Sequence, residues 1–166
     1  MLAFISREMP DFQIIPIIHE NCMDVWDVYK SNNDYFLAAY EKNVEPSNIF
    51  QTWERLVDDY DASQQLFFGL WQNGAPIAVV ELLPHFPKQN QLWLSEIIVH
   101  QNAKNKGLGT KITQAIISAA KTEKFTKIQL GVGEENPKAQ QFWQKMGFVP
   151  IENYSGGLVM EIHLST

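Results

Sequence analysis

The sequence predicts a mixed α/β domain built around a central sheet. Two observations carry that expectation. The hydrophobic period switches repeatedly between short β-branched runs and stretches at helical spacing. An Asn73-Gly74 pair also stands between two apolar runs, a strong hairpin turn signal. The chain has 166 residues, 45% of them hydrophobic and 12% aromatic, which suffices for one domain (residues 1–166) with a real core.

The elements follow in order. Phe12 to Ile18 is short and β-branched and reads as a strand, confined by Pro16 to an edge or an irregular course. From Asn21 to Tyr40 the apolar residues Met23, Trp26, Val28, Phe36, Leu37 and Tyr40 take helical spacing. The Ser31-Asn32-Asn33-Asp34 run splits that stretch into two helices, with Asp34 as a cap for the second. Pro46 starts another helix, with Ile49, Phe50, Trp53, Leu56 and Val57 as its buried stripe. Leu66–Trp71 and Pro76–Leu83 form the hairpin strands. Pro84-His85-Phe86-Pro87 is a stiffer turn, and Gln91–Val99 is a third strand. Leu108, Ile112, Ala115, Ile116 and Ala119 then trace one face of a helix, and Thr126–Val132 is a strand. Asn136-Pro137 opens the last helix, Asn as N-cap and Pro at the first position. Ala139, Phe142, Trp143 and Met146 form its buried stripe, and Gly147 closes it. Phe148–Ile151 and Leu158–Leu164 are the final strands, paired with each other.

Composition excludes several function classes. Lys and Arg total 13 against 19 Asp and Glu, a net charge of −6. That balance argues against a general nucleic-acid binder and against a polybasic membrane-surface protein. The single cysteine, Cys22, allows neither an internal disulfide nor a cysteine-based metal site and suits a reducing compartment. His19, His85, His100 and His163 are dispersed without metal-ligand spacing, so no metal is expected. Arg7-Glu8 interrupts the N-terminus where a leader would continue its apolar run, and no stretch approaches the roughly 18–20 apolar residues of a membrane span. The expectation is a cytoplasmic protein with neither a nucleic-acid nor a membrane partner. The exposed strand near the C-terminus would permit a homodimer.

The chemistry lies between Leu92 and Phe148. A strand leads into Gln101-Asn102-Ala103-Lys104-Asn105-Lys106-Gly107-Leu108-Gly109, which runs directly into a helix. Glycines let the backbone approach a ligand without a Cβ in the way. The first helical turn has unpaired N–H groups and the positive end of the helix dipole, which together make an anion site. Lys104 and Lys106 add charge, and a pyrophosphate is the natural guest. A nucleotide P-loop does not fit, because Gly109 is followed by Thr110-Lys111 in the wrong order and the first glycine is missing. A dinucleotide fingerprint does not fit either, since Ile112 stands where its third glycine belongs. A plain solvated loop ahead of a helix is the remaining alternative.

Two segments resemble the Gcn5-related N-acetyltransferases, the GNAT superfamily. Ile97-Ile98-Val99 followed by Lys104-Asn105-Lys106-Gly107-Leu108-Gly109 is similar to the family's motif A, Arg/Gln-x-x-Gly-x-Gly/Ala after an aliphatic strand end. Downstream, Asn136 to Phe148 matches Asn-x-x-Ala-x-x-Phe/Leu-Tyr/Trp-x-Lys-x-Gly-Phe. The resemblance implies a GNAT fold: a mixed, mostly antiparallel sheet with a splayed parallel strand pair, flanked by helices. Acetyl-CoA as cosubstrate would sit where Leu92–Val99 and Thr126–Val132 part. Ile97, Ile98 and Val99 would meet its pantetheine. The N–H groups of Lys104, Asn105, Lys106, Gly107, Leu108, Gly109 and Thr110 would hold its pyrophosphate. Asn136 would lie near the pantetheine, and Phe142 and Trp143 near the thioester. Lys104 replaces the usual Arg or Gln, and Asn105 a frequent Gly. Trp143 stands where many members carry a tyrosine that protonates the leaving thiolate.

By the same resemblance the reaction is attack of a neutral amine on the thioester, which a base assists by roughly 10²–10⁴-fold. Glu96, on the strand beside the thioester, is the candidate base; its alternative is a solvent-facing strand residue. Glu81 on the preceding strand is a weaker candidate, its alternative being a rim residue. His85, Tyr35 and Phe36 are candidates for the acceptor pocket, the two aromatics being otherwise core and the histidine otherwise surface. Tyr154, before Ser155-Gly156-Gly157, is a further phenol, or else an ordinary hairpin residue. Asp58-Asp59-Tyr60-Asp61 reads as a solvated acidic helix end or as an attractant for a cationic amine. The expected activity is transfer of an acetyl group from acetyl-CoA to an amine acceptor in a ternary complex; the acidic balance mildly favours a small basic one, and a protein N-terminus or lysine is an equal alternative. The alternative from another class is a non-catalytic acyl-CoA-binding sensor or interaction module, which Trp143 favours.

Overall fold

A computed structural model describes residues 1–57 and 59–165. Its elements run α1 (Leu2–Glu8), β1 (Gln13–Pro16), α2 (Trp26–Lys30), α3 (Asn33–Tyr40), α4 (Ser47–Glu54), β2 (Leu66–Gln72), β3 (Ala75–Pro84), β4 (Gln91–Val99), α5 (Leu108–Thr122), β5 (Lys127–Gly133), α6 (Pro137–Lys145), β6 (Val149–Tyr154) and β7 (Gly157–His163). Short 3-10 turns at Cys22–Val25, Ala62–Gln64 and Gln101–Ala103 join them. Among the described residues, no helix is long and apolar enough to cross a membrane.

The seven strands form one sheet in the order β1-β2-β3-β4-β5-β7-β6. All neighbours are antiparallel except β4 and β5, which run parallel. The β2–β3 hairpin closes as its turn pair predicts, with Asn73 at φ 52° and Gly74 at φ 78°, both left-handed. The β4–β5 pairing is brief. It joins Gln91 to Lys127, Leu92 to Ile128 and Trp93 to Gln129, and then stops. Beyond that point β4 stays with β3 and β5 stays with β7, so the sheet opens as a V.

Strand alternation divides the side chains between two cores. Phe68, Leu70, Val80, Leu82, Leu92 and Leu94 pack against α5 residues Ile112, Ala115, Ile116 and Ala119, with Ile5 of α1. Phe67, Val79 and Ile98 pack the other way, against Val28 and Tyr29 of α2, Phe36 of α3 and Ile49 of α4. A register slip between Glu81 and Leu82 separates the two phases of β4: Glu81 pairs with Glu96 and Leu82 with Leu94, leaving Ser95 as an extra, bulged residue. Without that bulge Glu96 and Ile98 would share the face of Leu92 and Leu94. With it they turn to the α2–α4 side.

Several expectations need correction. The N-terminal segment is a helix, α1, that seats Ile5 and Met9 in the α5-side core. Its seven residues are too few to sustain a helix without tertiary contacts, so no local signal announced it. Asp34 does not cap α3; Asn32 holds the N-cap position, and no side chain there makes a capping bond. Instead Asn32 is 4% exposed and donates from Nδ2 to the Val28 and Val99 carbonyls, tying α2 to the end of β4. Helix α4 ends at Glu54, so Leu56 and Val57 lie beyond it, and Val57 is exposed. The apolar stripe of α6 is half-buried, because the helix borders the open part of the V. Asp58 lies outside the described residues.

Candidate active site

The V holds a cavity of about 690 Å³. Leu94–Val99 form one wall and Leu130–Gly133 the other. Backbone polarity follows from one observed bond. The His100 N–H donates to the Ile77 carbonyl at 2.8 Å, so alternation turns Ile98 toward β3 and leaves the N–H groups of Ile97 and Val99 facing the opening. These are strand donors without a strand opposite them. The Val99 carbonyl accepts from Asn32 Nδ2 at 3.0 Å.

The α5 side of the cavity is built from main chain. Asn105 has φ 60° and Gly107 φ 79°, two left-handed residues that fold the loop onto the start of α5. Asn is among the few side-chain-bearing residues that adopt this conformation readily, which accounts for its standing where a glycine is common. The first helical bond from this segment runs from the Lys111 N–H to the Gly107 carbonyl. Among the described residues, nothing accepts from the N–H groups of Asn105 through Thr110. These donors converge at a helix N-terminus, the physical basis of an anion site. Lys104, Asn105, Gly107, Leu108, Gly109 and Thr110 all line the cavity. Burial lowers the pKa of Lys104, and Asp34 opposes that shift. Lys106 is not in the lining; its Nζ donates to the Asn102 carbonyl at 2.8 Å, bracing the loop from outside.

The α2–α4 side is built from side chains. Glu96 is half-buried, and the Tyr29 hydroxyl donates to its Oε2 at 2.8 Å. Burial raises the Glu96 pKa, partly offset by the Tyr29 bond and by the charge of Arg55. Its register partner Glu81 is not a rim residue. It is 8% exposed, lines the same cavity, and accepts from Gln65 Nε2 at 2.7 Å. Burial pushes its pKa up to about 7; the Gln65 bond opposes the shift, the Glu96 charge adds to it, and Arg55 opposes it. Tyr35 and Phe36 of α3 join this wall, and burial holds the Tyr35 phenol well above its usual range. Tyr29, Thr52, Arg55 and Gln65 were not singled out by the sequence. Their relation to Glu81 and Glu96 is purely tertiary, Tyr29 and Glu96 lying 67 residues apart.

Helix α6 closes the remaining side. The Asn136 carboxamide accepts from the Ala139 N–H at 3.1 Å as the N-cap, with Pro137 in the first turn. Phe142 and Trp143 reach the cavity, and the Trp143 ring meets Phe148 edge-on at 5.3 Å. An added Cβ on Gly131 would stand 3.2 Å from the Tyr154 hydroxyl, and one on Gly157 would stand inside contact distance. The phenol of Tyr154 therefore rests in a gap kept by two glycines, beside the β5 wall. His85 is elsewhere. It is exposed, tilted against Phe125 at 5.1 Å, and absent from the cavity lining. Because β3 runs antiparallel to β4, the turn after Pro84 lies at the closed end of the V, where Pro84 pairs with Leu92.

The chain matches the Acetyltransferase (GNAT) family over residues 23–148. It is 30% identical over 144 residues to an uncharacterized N-acetyltransferase of Methanocaldococcus jannaschii, covering 81% of this chain and 64% of that protein. It is 30% identical over 86 residues to a spermine/spermidine N(1)-acetyltransferase of Bacillus subtilis, covering 48% of this chain and 57% of that protein. The chain thus spans less than two thirds of the length of these relatives. In fold it is similar to an acetyltransferase from Thermus thermophilus, with a TM-score of 0.78 at 19% identity over 92% of this chain and 97% of that one. The PaiA N-acetyltransferase from Thermoplasma acidophilum, solved in complex with coenzyme A, gives a TM-score of 0.66 at 17% identity over 92% and 98%. A sheet split between its parallel strands, a loop of free backbone donors at the split, and a family match across both make this chain a member of the GNAT acetyltransferase family.

Proposed function

We propose that the chain transfers the acetyl group of acetyl-CoA to a primary amine by direct attack in a ternary complex. The observation that carries this reading is the two-sidedness of the cavity: backbone anion donors on the α5 side, carboxylates on the α2–α4 side, and an opening in the sheet between them. The cavity residues fit the cosubstrate. The N–H groups of Asn105 to Thr110 suit a pyrophosphate, and those of Ile97 and Val99 suit the amides of an extended arm. Acetyl-CoA supplies an activated acyl group, and the protein supplies orientation, desolvation and a proton acceptor. Glu96 is that acceptor. Its raised pKa brings a carboxylate closer to the operating pH, as general-base catalysis requires. Trp143 cannot donate a proton to the leaving thiolate, which departs either unaided or with help from another group.

Thermal unfolding with acetyl-CoA, free CoA and ADP tests the cosubstrate. A ligand at about 100 times its dissociation constant stabilises by roughly 2.7 kcal/mol, and no shift at millimolar acetyl-CoA overturns the reading. Thiol release across a panel of amines, spermidine and spermine included because a relative bears that activity in its name, then separates an enzyme from a non-catalytic acyl-CoA-binding module.

A further inference from the structure

Glu81 has no part in the reaction just described, yet its placement demands one. Glu81 and Glu96 are directly opposite across the antiparallel β3–β4 ladder, which sets their Cβ atoms about 4.5–5.5 Å apart on one face. Both line the cavity. Each is held by one neutral donor, Glu96 Oε2 by the Tyr29 hydroxyl and Glu81 Oε1 by Gln65 Nε2. Among the described residues, no lysine, arginine or histidine is within ion-pair distance of either carboxylate, and no donor reaches Glu81 Oε2 or Glu96 Oε1. The titratable groups that act on the pair or feel it are Tyr29 from α2, Tyr35 from α3, Arg55 just after α4, and Tyr60 before β2. Burial holds the three phenols neutral, so Arg55 offsets the pair from a distance without contacting it.

Two neighbouring carboxylates oppose each other's ionisation, and burial adds to this at Glu81, which on its own favours keeping its proton. A primary ammonium reverses this balance. It is a compact charge with three donors, able to bridge one free oxygen on each carboxylate. Building on the acetyl-transfer reading, we propose that Glu81 and Glu96 together seat the ammonium group of the acceptor, so that the substrate is an unhindered aliphatic primary amine recognised as its cation. Binding expels the proton held on Glu81 to solvent. Glu96 then takes one proton from the nitrogen. The freed lone pair forms the N–C bond to the thioester carbonyl carbon, and the C–S bond breaks with its electrons going to sulfur. A second nitrogen proton ends on the thiolate, the third stays on the amide, and Glu96 returns its proton to water. Glu81 remains ionised throughout as the residue that sets specificity.

The test uses hexane-1,6-diamine as probe, with n-hexanol as the uncharged control and aniline as the weakly basic one. In the wild-type protein loaded with CoA, diamine should raise the unfolding temperature at pH 7 and release up to one proton per site into a weakly buffered phenol red solution. Neither control should do so. Glu81→Gln should abolish the proton release and raise the KM for diamine about tenfold or more, the loss of a charged hydrogen bond, while the KM for acetyl-CoA stays as it was. Diamine stabilisation that Glu81→Gln leaves intact, or binding without proton release in the wild type, overturns the proposal. Diamine binding with proton release but no acetyl transfer to any amine would keep the seat and overturn the enzymatic reading instead. The wild-type proton-release measurement decides the matter even if the variant does not fold.

Discussion

The two sides of the cavity are made of different materials. The α5 side is main chain: consecutive N–H groups from Asn105 to Thr110, aimed by two left-handed residues and the start of a helix. The α2–α4 side is side chain: Glu81 and Glu96, oriented by Tyr29 and Gln65 from elements far away in sequence. A main-chain site tolerates changes in side-chain identity as long as the backbone path survives. Here Lys104 and Asn105 stand in a motif that usually has other residues. A side-chain site depends on each group, and its chemistry changes with one atom. The main-chain side thus tolerates substitution, while on the side-chain side a single replacement alters the chemistry.

Substitutions at five positions break or sharpen that contrast. Glu96→Gln removes the proposed proton acceptor and nothing of the loop. Steady-state kinetics should show kcat falling by roughly 10²–10⁴-fold, with the acetyl-CoA thermal shift intact. A loss of that shift would mean the two sides are not separable. The next effect is on stability. Between pH 4.5 and about 7 the folded protein holds a proton on Glu81 that the unfolded chain has already lost. Stability of the ligand-free protein therefore falls as pH rises through that window and stays low above it. Glu81→Gln has nothing to ionise and should flatten the fall, by on the order of 3 kcal/mol at pH 8, read from denaturant titrations at pH 5 and pH 8.

On the main-chain side, Gly107→Val forces a β-branched residue into φ 79°. The left-handed region costs a side-chain-bearing residue roughly 1–2 kcal/mol, so affinity for acetyl-CoA should drop about tenfold by calorimetry. Asn105→Gly should leave affinity nearly unchanged, since glycine accepts the same backbone. The smallest measurable loss comes from Asn136→Ala. It removes an N-cap bond at 3.1 Å and should cost about 1 kcal/mol, lowering the unfolding temperature.

The same contrast decided what the sequence could disclose. The main-chain side is local, and its signals lie close together: a strand end, a polar glycine-bearing loop and the stripe Leu108, Ile112, Ala115, Ile116, Ala119, all of which the structure buries as expected. The hairpin turn at Asn73-Gly74 and the Asn136-Pro137 helix start are equally local and equally legible. Glu96 was visible as a residue but not as a direction. Counting alternately from Leu92 and Leu94 points it to the α5 core, and only the bulge at Ser95, a property of the β3–β4 register, turns it to the other face. Glu81 shares the face of Val79 by simple alternation, but its burial and its Gln65 partner are tertiary and carry no local signal. His85 follows the end of β3 that pairs with the start of β4, so the antiparallel course carries its turn away from the opening. Tyr29 and Gln65 have no motif at all; they are found by folding the chain.

The parting of β4 from β5 has one more consequence. A sheet edge normally invites another strand, and proteins blunt it. The two outer edges of this sheet carry Pro16 on β1 and Pro150 on β6, residues that cannot donate to a new partner. From Leu94 to Val99 the inner edge of β4 has no proline. Its protection is architectural: the opposite arm of the V, Leu130–Gly133, lines the same cavity. The donors of Ile97 and Val99 lie within that cavity, so an unpaired edge that would seed aggregation on the outside of a sheet is here enclosed between its own arms.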